Sequence, residues 1–295
     1  MSKGKQDFRK LCLFLFSLIF LANINCVMGR LIVIGLDGAT FDVLLPWIRK
    51  GYLPTFAKLV ENGVYGNLTS VHPIVSPVAW ISLTTGMNPG NHGIFGYQNC
   101  DRNSYEPYIT KSFDVKTKFL WEVLSENGKK SIVINVPGTY PPRKLNGILI
   151  AGEVAPDISV YPEELEEFLR EKGYVVEGKG YIGVEKEEFL ESVYHTAKKR
   201  FEVAWELMKQ EDWDLFFLVF TETDRIQHAF WKELEEKPED NEILKFYQLL
   251  DNFLQKFLEE VDEDTVLFVI SDHGFKRVEK RFYLDNWLEE EGLLE

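Results

Sequence analysis

Three short apolar runs, each closing on a carboxylate, constrain this chain more than any other feature. Arg30 to Leu36 is rich in β-branched residues and breaks off at Gly35-Leu36-Asp37-Gly38. Asp214 to Phe220 contains Leu-Phe-Phe-Leu-Val-Phe and is followed by Asp224 and His228. Thr265 to Ile270 leads into Asp272-His273-Gly274. A continuous apolar run of this length suits a strand buried on both faces of a parallel sheet.

The segments between these runs carry helical periodicity. Helices are expected at Phe41 to Lys50, at Pro54 to Asn62 with Gly63 as a stop, from Ser76 to Gly86, at Phe119 to Asn127 and at Asn241 to Val261. Further strands are expected near Val64 to Leu68, Lys130 to Asn135 and Ile148 to Ala151. From Tyr161 to Gln210 the pattern is helical and charged, interrupted by Gly173 to Gly183, and reads as a cap or insertion covering about residues 153–212. Alternating strands and helices predict an α/β fold with a doubly wound, mostly parallel central sheet and helices on both faces.

At 295 residues and 45% apolar content, one large domain running from residue 30 to 295 fits better than two equal ones. The net charge of −14 repels a phosphate backbone and argues against nucleic-acid binding. Phosphate chemistry stays open, because bound divalent metals reverse the local field. Three cysteines, Cys12, Cys26 and Cys100, make neither a disulfide framework nor a cysteine zinc site, and Cys100 reads as a small, partly buried residue. Gly178-x-Gly180-x-x-Gly183 matches a dinucleotide fingerprint in letters only and reads as a glycine-rich turn. Trp80, Trp121, Trp205, Trp213 and Trp231 are assigned to packing, and Arg102, Lys116 and Arg225 to solvated surface.

Residues 1–29 differ from the rest. Lys3, Lys5, Arg9 and Lys10 precede an apolar run from Leu11 to Ala22, as in a secretory signal or short membrane anchor. The rival reading is a start at Met28, just before the first strand. The first reading gives a membrane-anchored or secreted protein, with membrane contact through residues 11–22; the second gives a cytoplasmic one.

In open α/β sheets, ligands bind beyond the carboxyl ends of the strands. Asp37, Asp224, His228, Asp272 and His273 all come after predicted strands, and all are metal-ligating types. Asp224 and His228, four apart on a predicted helix, share one face. Gly274 lets Asp272 and His273 turn together on an irregular loop. Ser76 is the candidate nucleophile: with Pro77 at the first helical position it takes the N-cap, where the helix dipole favours negative charge.

The ordered set Asp37-Gly38, Ser76, Asn88-Pro-Gly-Asn-His-Gly-Ile94, Asp224-x-x-x-His228 and Asp272-His273-Gly274 resembles the type I phosphodiesterase/nucleotide pyrophosphatase branch of the alkaline phosphatase superfamily. Thr223 to Trp231 looks most like its prokaryotic phosphohydrolase or phosphomutase members. The resemblance runs from about Arg30 to the end. It implies two divalent metal ions, zinc with manganese as the alternative, one held by Asp37, Ser76, Asp272 and His273 and the other by Asp224 and His228. It further implies that Ser76 attacks phosphorus in a small phosphorylated substrate, giving a phosphoseryl intermediate that is then hydrolysed.

Two departures from the family pattern stand out. A further histidine expected after Asp-His-Gly is missing, which implies a C-terminally truncated chain; His195, His72 or His92 are the substitutes on offer. The asparagine that steadies phosphate in the family falls on Tyr97, leaving Gln98 and Asn99 as candidate substrate contacts. A sulfatase would need proline and arginine where Val78 and Trp80 stand, so that reading fails. A phosphomutase of the same superfamily and a non-catalytic remnant with an incomplete metal site stay as alternatives to the hydrolase.

Overall fold

The structure, a computed structural model, describes residues 6–7, 29–101 and 103–294. The leader-like segment with Cys12, Cys26, Met28 and the apolar run 11–22 lies outside the described residues, as does Arg102. No helix among the described residues is long and apolar enough to cross a membrane.

The central sheet has six strands: β1 (Arg30–Leu36), β2 (Ser131–Ile134), β3 (Gly147–Ile150), β4 (Val160–Tyr161), β5 (Leu215–Phe220) and β6 (Thr265–Ile270). Their spatial order is β6-β1-β5-β2-β3-β4. All neighbours are parallel except β3 and β4. The expected mostly parallel α/β sheet is therefore present, closed at one edge by an antiparallel strand. That strand, Val160–Tyr161, is two residues long and carries no periodic signal.

The helices are α1 (Phe41–Arg49), α2 (Pro54–Asn62), α3 (Ser76–Thr85) and α4 (Leu120–Glu126) in the first half. In the second half come α5 (Leu165–Glu171), α6 (Lys186–Gln210), α7 (Glu222–Glu236), α8 (Glu242–Glu259) and α9 (Leu284–Glu290). Side chains alternate across each strand, so the sheet feeds two cores. Ile32, Ile34, Leu36, Phe216, Leu218 and Phe220 face one, together with α1, α2 and α6 to α8. Leu31, Val33, Phe217 and Val219 face the other, against α3 and α4. Burial on both faces explains why β1 and β5 read as unbroken apolar runs rather than alternating ones.

Two expectations shift. The strand expected at 64–68 is reduced to Leu68–Thr69, paired with Gln6–Asp7, because Val64 is 99% exposed and has nothing to pack on. A two-stranded antiparallel ribbon, Gln98–Cys100 with Pro107–Ile109, forms where no strand was expected. The Gly178–Gly183 segment is a loop before α6, and no strand leads into it.

Candidate metal centre

The sheet order places β6, β1 and β5 side by side. In register, Gly35 lies opposite both Ile270 and Val219, so the three strands end level with one another. The segments leaving their carboxyl ends therefore converge on one spot. Asp37 leaves β1, Asp272 and His273 leave β6, and α7 starts almost directly after β5, carrying Asp224 and His228.

Backbone and side-chain bonds stitch these loops together. Thr223 Oγ1 donates to the carbonyls of Asp37 (2.6 Å) and Phe220 (2.8 Å). Gln227 donates to the carbonyl of Gly38 at 3.0 Å. The Gly38 N–H donates to Asp272 Oδ1 at 3.2 Å. Gly38 has φ of +65°, and a Cβ there would stand 2.9 Å from Asp224 Oδ1, so another residue would be strained in this turn and would displace the Asp224 carboxylate.

At the centre, Asp37 is 1% exposed. Its Oδ1 accepts from Ser76 Oγ at 3.3 Å and its Oδ2 from Trp80 Nε1 at 2.8 Å. His273 Nε2 lies 3.2 Å from Ser76 Oγ and 3.4 Å from both Asp37 Oδ1 and Asp272 Oδ2. Asp224 joins from α7: its ligand atom and those of Asp37 and His273 lie within 4.8 Å of one another. His228 Nε2 is 3.3 Å from Asp224 Oδ2, and the bond raises the imidazole pKa. Tyr181 stacks on the His228 ring (5.9 Å, 5°) and Phe275 meets it edge-on (4.7 Å, 80°).

The residues fit divalent cations on three observations. Burial, then Asp272 and Asp224, push the Asp37 carboxyl well above the usual carboxylate range, and burial does the same to Asp272. Asp272 Oδ2 is buried without a hydrogen-bond partner. His273 Nδ1 lies 2.8 Å from the Gly274 carbonyl. A carbonyl only accepts, so Nδ1 carries a proton and Nε2 is the ring atom left to face the two carboxylates and a cation. Converging acceptors with too little positive charge are the chemistry of a cation site.

The other predicted residues divide. Ser76 does not cap its helix. Val75, in an extended conformation, takes that place, and Ser76 is the first helical residue, its hydroxyl turned to Asp37 and His273 instead of to a backbone N–H. Gln98 and Asn99 are not brought into the cluster; they sit in the ribbon, where Asn99 Oδ1 accepts from the Cys100 N–H at 3.1 Å. His92 is fully buried with Nε2 2.9 Å from Ser82 Oγ, while His72 and His195 are exposed; none belongs to the carboxylate and imidazole group above. Arg225 Nη2 is held by the Gly178 carbonyl at 2.7 Å, so it ties α7 to the loop before α6 rather than standing in solvent. Cys100 is exposed rather than partly buried.

Sequence reasoning missed two contributors. Trp80, read as packing alone, is fully buried and also donates to Asp37. Gly35 makes this possible, since a Cβ there would meet the Trp80 ring at 2.5 Å. Glu153, on the turn after β3, accepts from the Tyr97 hydroxyl at 2.9 Å beside Ser76. No local motif announces either.

A mostly parallel sheet with acidic and imidazole side chains gathered beyond three strand ends defines an alkaline phosphatase-like α/β fold. Within it, the type I phosphodiesterase / nucleotide pyrophosphatase family profile matches residues 31–295, and the chain belongs to that family. Among solved structures, phosphonoacetate hydrolase from Sinorhizobium meliloti 1021 in complex with phosphonoacetate superposes with a TM-score of 0.69 at 20% identity, over 90% of this chain and 63% of that one. An inactive variant of murine ectonucleotide pyrophosphatase / phosphodiesterase 5, in complex with AMP, gives 0.55 at 18%, over 83% and 57%. A 2-O GAG sulfatase gives 0.51 at 11%, over 84% and 58%. At these identities the likeness is one of fold. This chain spans less than two thirds of the length of each.

Proposed function

We propose that this chain is a metal-dependent hydrolase of phosphate esters, with Ser76 as nucleophile. The observation that carries the reading is the placement of Ser76 Oγ, 3.3 Å from Asp37 Oδ1 and 3.2 Å from His273 Nε2, at the start of a helix aimed into the acidic cluster. Asp37, Ser76, Asp272 and His273 would hold one divalent cation and Asp224 with His228 a second, zinc or manganese by donor type. Bound there, such cations lower the pKa of a hydroxyl and neutralise phosphoryl oxygens. Ser76 Oγ attacks phosphorus, the bond to the leaving oxygen breaks, and water later releases phosphate from the serine. The hydroxyl already points at Asp37 Oδ1, one of the oxygens that would hold the cation, so Oγ stands where it can join the same ion. The α3 dipole favours the negative charge that develops at Oγ. The ligands named for two of the structural relatives, phosphonoacetate and AMP, each present a tetrahedral phosphorus centre, which agrees with this reading.

The test is release of 4-nitrophenol from 4-nitrophenyl phosphate and from bis(4-nitrophenyl) phosphate, with zinc or manganese and with chelator. Activity that needs metal and vanishes in Ser76→Ala is expected. Full activity in Ser76→Ala would remove the serine from the mechanism. Transfer to an acceptor alcohol without phosphate release would make the chain a phosphotransferase, the chemistry a mutase also uses.

A further inference from the structure

Gly38 is where the two halves of the metal centre meet. Its N–H donates to Asp272 Oδ1 at 3.2 Å, on the loop after β6, and its carbonyl accepts from Gln227 Nε2 at 3.0 Å, on α7. One residue on the turn leaving β1 thus joins the Asp272 carboxylate to the helix that carries Asp224 and His228. One helical turn before Gln227, the Thr223 hydroxyl donates to the Asp37 carbonyl at 2.6 Å. Thr223 and Gln227, four apart, share a face of α7 and take the carbonyls of two consecutive residues.

Gln227 is fully buried, and its amide can sit only one way round. Nε2 also donates to the Thr223 carbonyl at 3.0 Å, so both amide protons are spent on carbonyls. The reversed amide would set its oxygen against the same two acceptors. Oε1 is left buried without a hydrogen-bond partner among the described residues. An apolar side chain would pack α7 against the turn without burying an unpaired oxygen. What the amide adds is direction and distance.

Resting on the two-cation reading of the site, we propose that Gln227 is a positioning residue of the metal centre. It sets the spacing between the half held by Asp37, Asp272 and His273 and the half held by Asp224 and His228, so that two divalent cations bind as a close pair. The ligand atoms of Asp37 and Asp224 lie within 4.8 Å of each other, and two ionised carboxylates at that range repel. In the metal-free chain, the bonds from Gln227 and Thr223 hold the Asp37–Gly38 turn and α7 together against that repulsion. The link has little slack, since a Cβ on Gly38 would stand 2.9 Å from Asp224 Oδ1 and 3.4 Å from Gln227 Nε2. His228 is the next residue along the helix, so a shift at Gln227 reaches it directly.

Manganese titrated into the metal-free full chain and followed by electron paramagnetic resonance reads the pairing apart from turnover. The parent should take up two ions per chain and give the spin-coupled spectrum of a close pair. Gln227→Met keeps the side-chain volume and removes both N–H donors. It should weaken manganese uptake about tenfold, the scale of losing a hydrogen bond that aims a metal ligand, and at saturation give the spectrum of isolated ions. Gln227→Asn stays polar, in case the methionine variant does not fold, but is one methylene too short to span to Gly38, and should show the same loss. A purely structural glutamine would lower the melting temperature in chelator and leave the manganese spectrum as in the parent. A parent-like coupled spectrum and affinity in either folded variant would overturn the assignment and leave the two-cation reading standing. Fewer than two ions in the parent, or two uncoupled ones, would overturn both. Gln227-dependent pairing in a chain that releases no 4-nitrophenol would support the assignment while refuting hydrolysis.

Discussion

The indole nitrogen of Trp80 donates to Asp37 Oδ2 at 2.8 Å, linking the core under one face of the sheet to the carboxylate at the centre of the site. Trp80 is fully buried, so its N–H has no water to turn to, and Asp37 is 1% exposed. Trp80→Phe keeps most of the apolar volume and removes the donor. We expect a loss of about 1–3 kcal/mol, the cost of leaving one buried polar atom unpaired, with weaker metal binding as Asp37 reorients. Thermal unfolding with and without zinc checks both, and an unchanged zinc affinity would show that the bond serves the core alone.

Asp37 and Asp272 make the metal-free protein respond to pH in the opposite sense to an ordinary ion-paired carboxylate. Both pKa values are raised in the folded state, chiefly by burial, so the folded chain binds protons that the unfolded chain has released. Their contribution to stability is fully present below the unfolded carboxylate pKa, near about 3.9, and is lost as pH rises through the raised values. In chelator, Asp272→Asn should flatten this decline and melt higher than the parent near neutral pH. In zinc the order should reverse, because the parent gains cation binding that the variant loses. A variant that melts at the parent's temperature under both conditions would contradict the burial argument.

His92 adds a dependence of the other sign. Burial lowers its pKa to about 4, so the folded state favours the neutral ring. Its Nδ1 accepts from the Ile94 N–H at 3.2 Å, a bond that protonation would destroy. Stability from this group is present above the unfolded histidine pKa, near about 6.5, and falls away as pH drops towards 4. Replacing His92 with Gln should make unfolding less sensitive to acid over that window at some cost in stability at pH 7. Urea titrations at pH 7 and pH 5 measure the difference.

Arg200 and Glu222 form an ion pair at 0% and 1% side-chain exposure, just ahead of Asp224 on α7. Arg200 Nη2 also donates to the Val176 carbonyl at 2.7 Å, fastening the loop that carries Tyr181 over His228. Removing either partner leaves a buried charge, so Arg200→Met or Glu222→Gln should each cost about 3–5 kcal/mol. Arg200→Met with Glu222→Leu should recover most of it, read by denaturant midpoint. Additive losses in the double variant would mean the pair is not coupled.

His228 is held by Asp224 and two aromatic rings, and is half exposed. If Asp224 and His228 hold a cation of their own, His228→Ala should lower zinc content by one ion per chain and leave the ion at Asp37 and Asp272 in place. Elemental analysis after dialysis reads this directly, and an unchanged content would free His228 from any ligand role.

How far the chain could be read from its letters depends on the range of each interaction. The strands β1 and β5 were legible because burial on both faces writes itself as an unbroken apolar run, and β6, a partly buried edge strand, because its run is apolar as well. The carboxylates were legible because each comes soon after such a run. The ribbon at Gln98–Cys100 was not, since its residues are mostly exposed and its pairing owes nothing to a local apolar pattern. Ser76, the candidate nucleophile, was placed at the correct helix terminus but one position early, as the N-cap, because Ser-Pro is an N-cap signal and nothing nearby in sequence shows that Val75 takes the turn.

By itself, then, the sequence determined the main strands and helices, their mostly parallel layout and the family, all of which rest on periodicity and ordered short motifs. The tertiary structure alone decided that β6, β1 and β5 are neighbours, and with that the meeting of Asp37, Asp224 and His273 within 4.8 Å. It also paired Tyr97 with Glu153 across 56 residues, and Trp80 with Asp37 across 43. These contacts depend on strand order and side-chain direction. Both are set by packing between segments far apart in the chain, which no local spacing encodes.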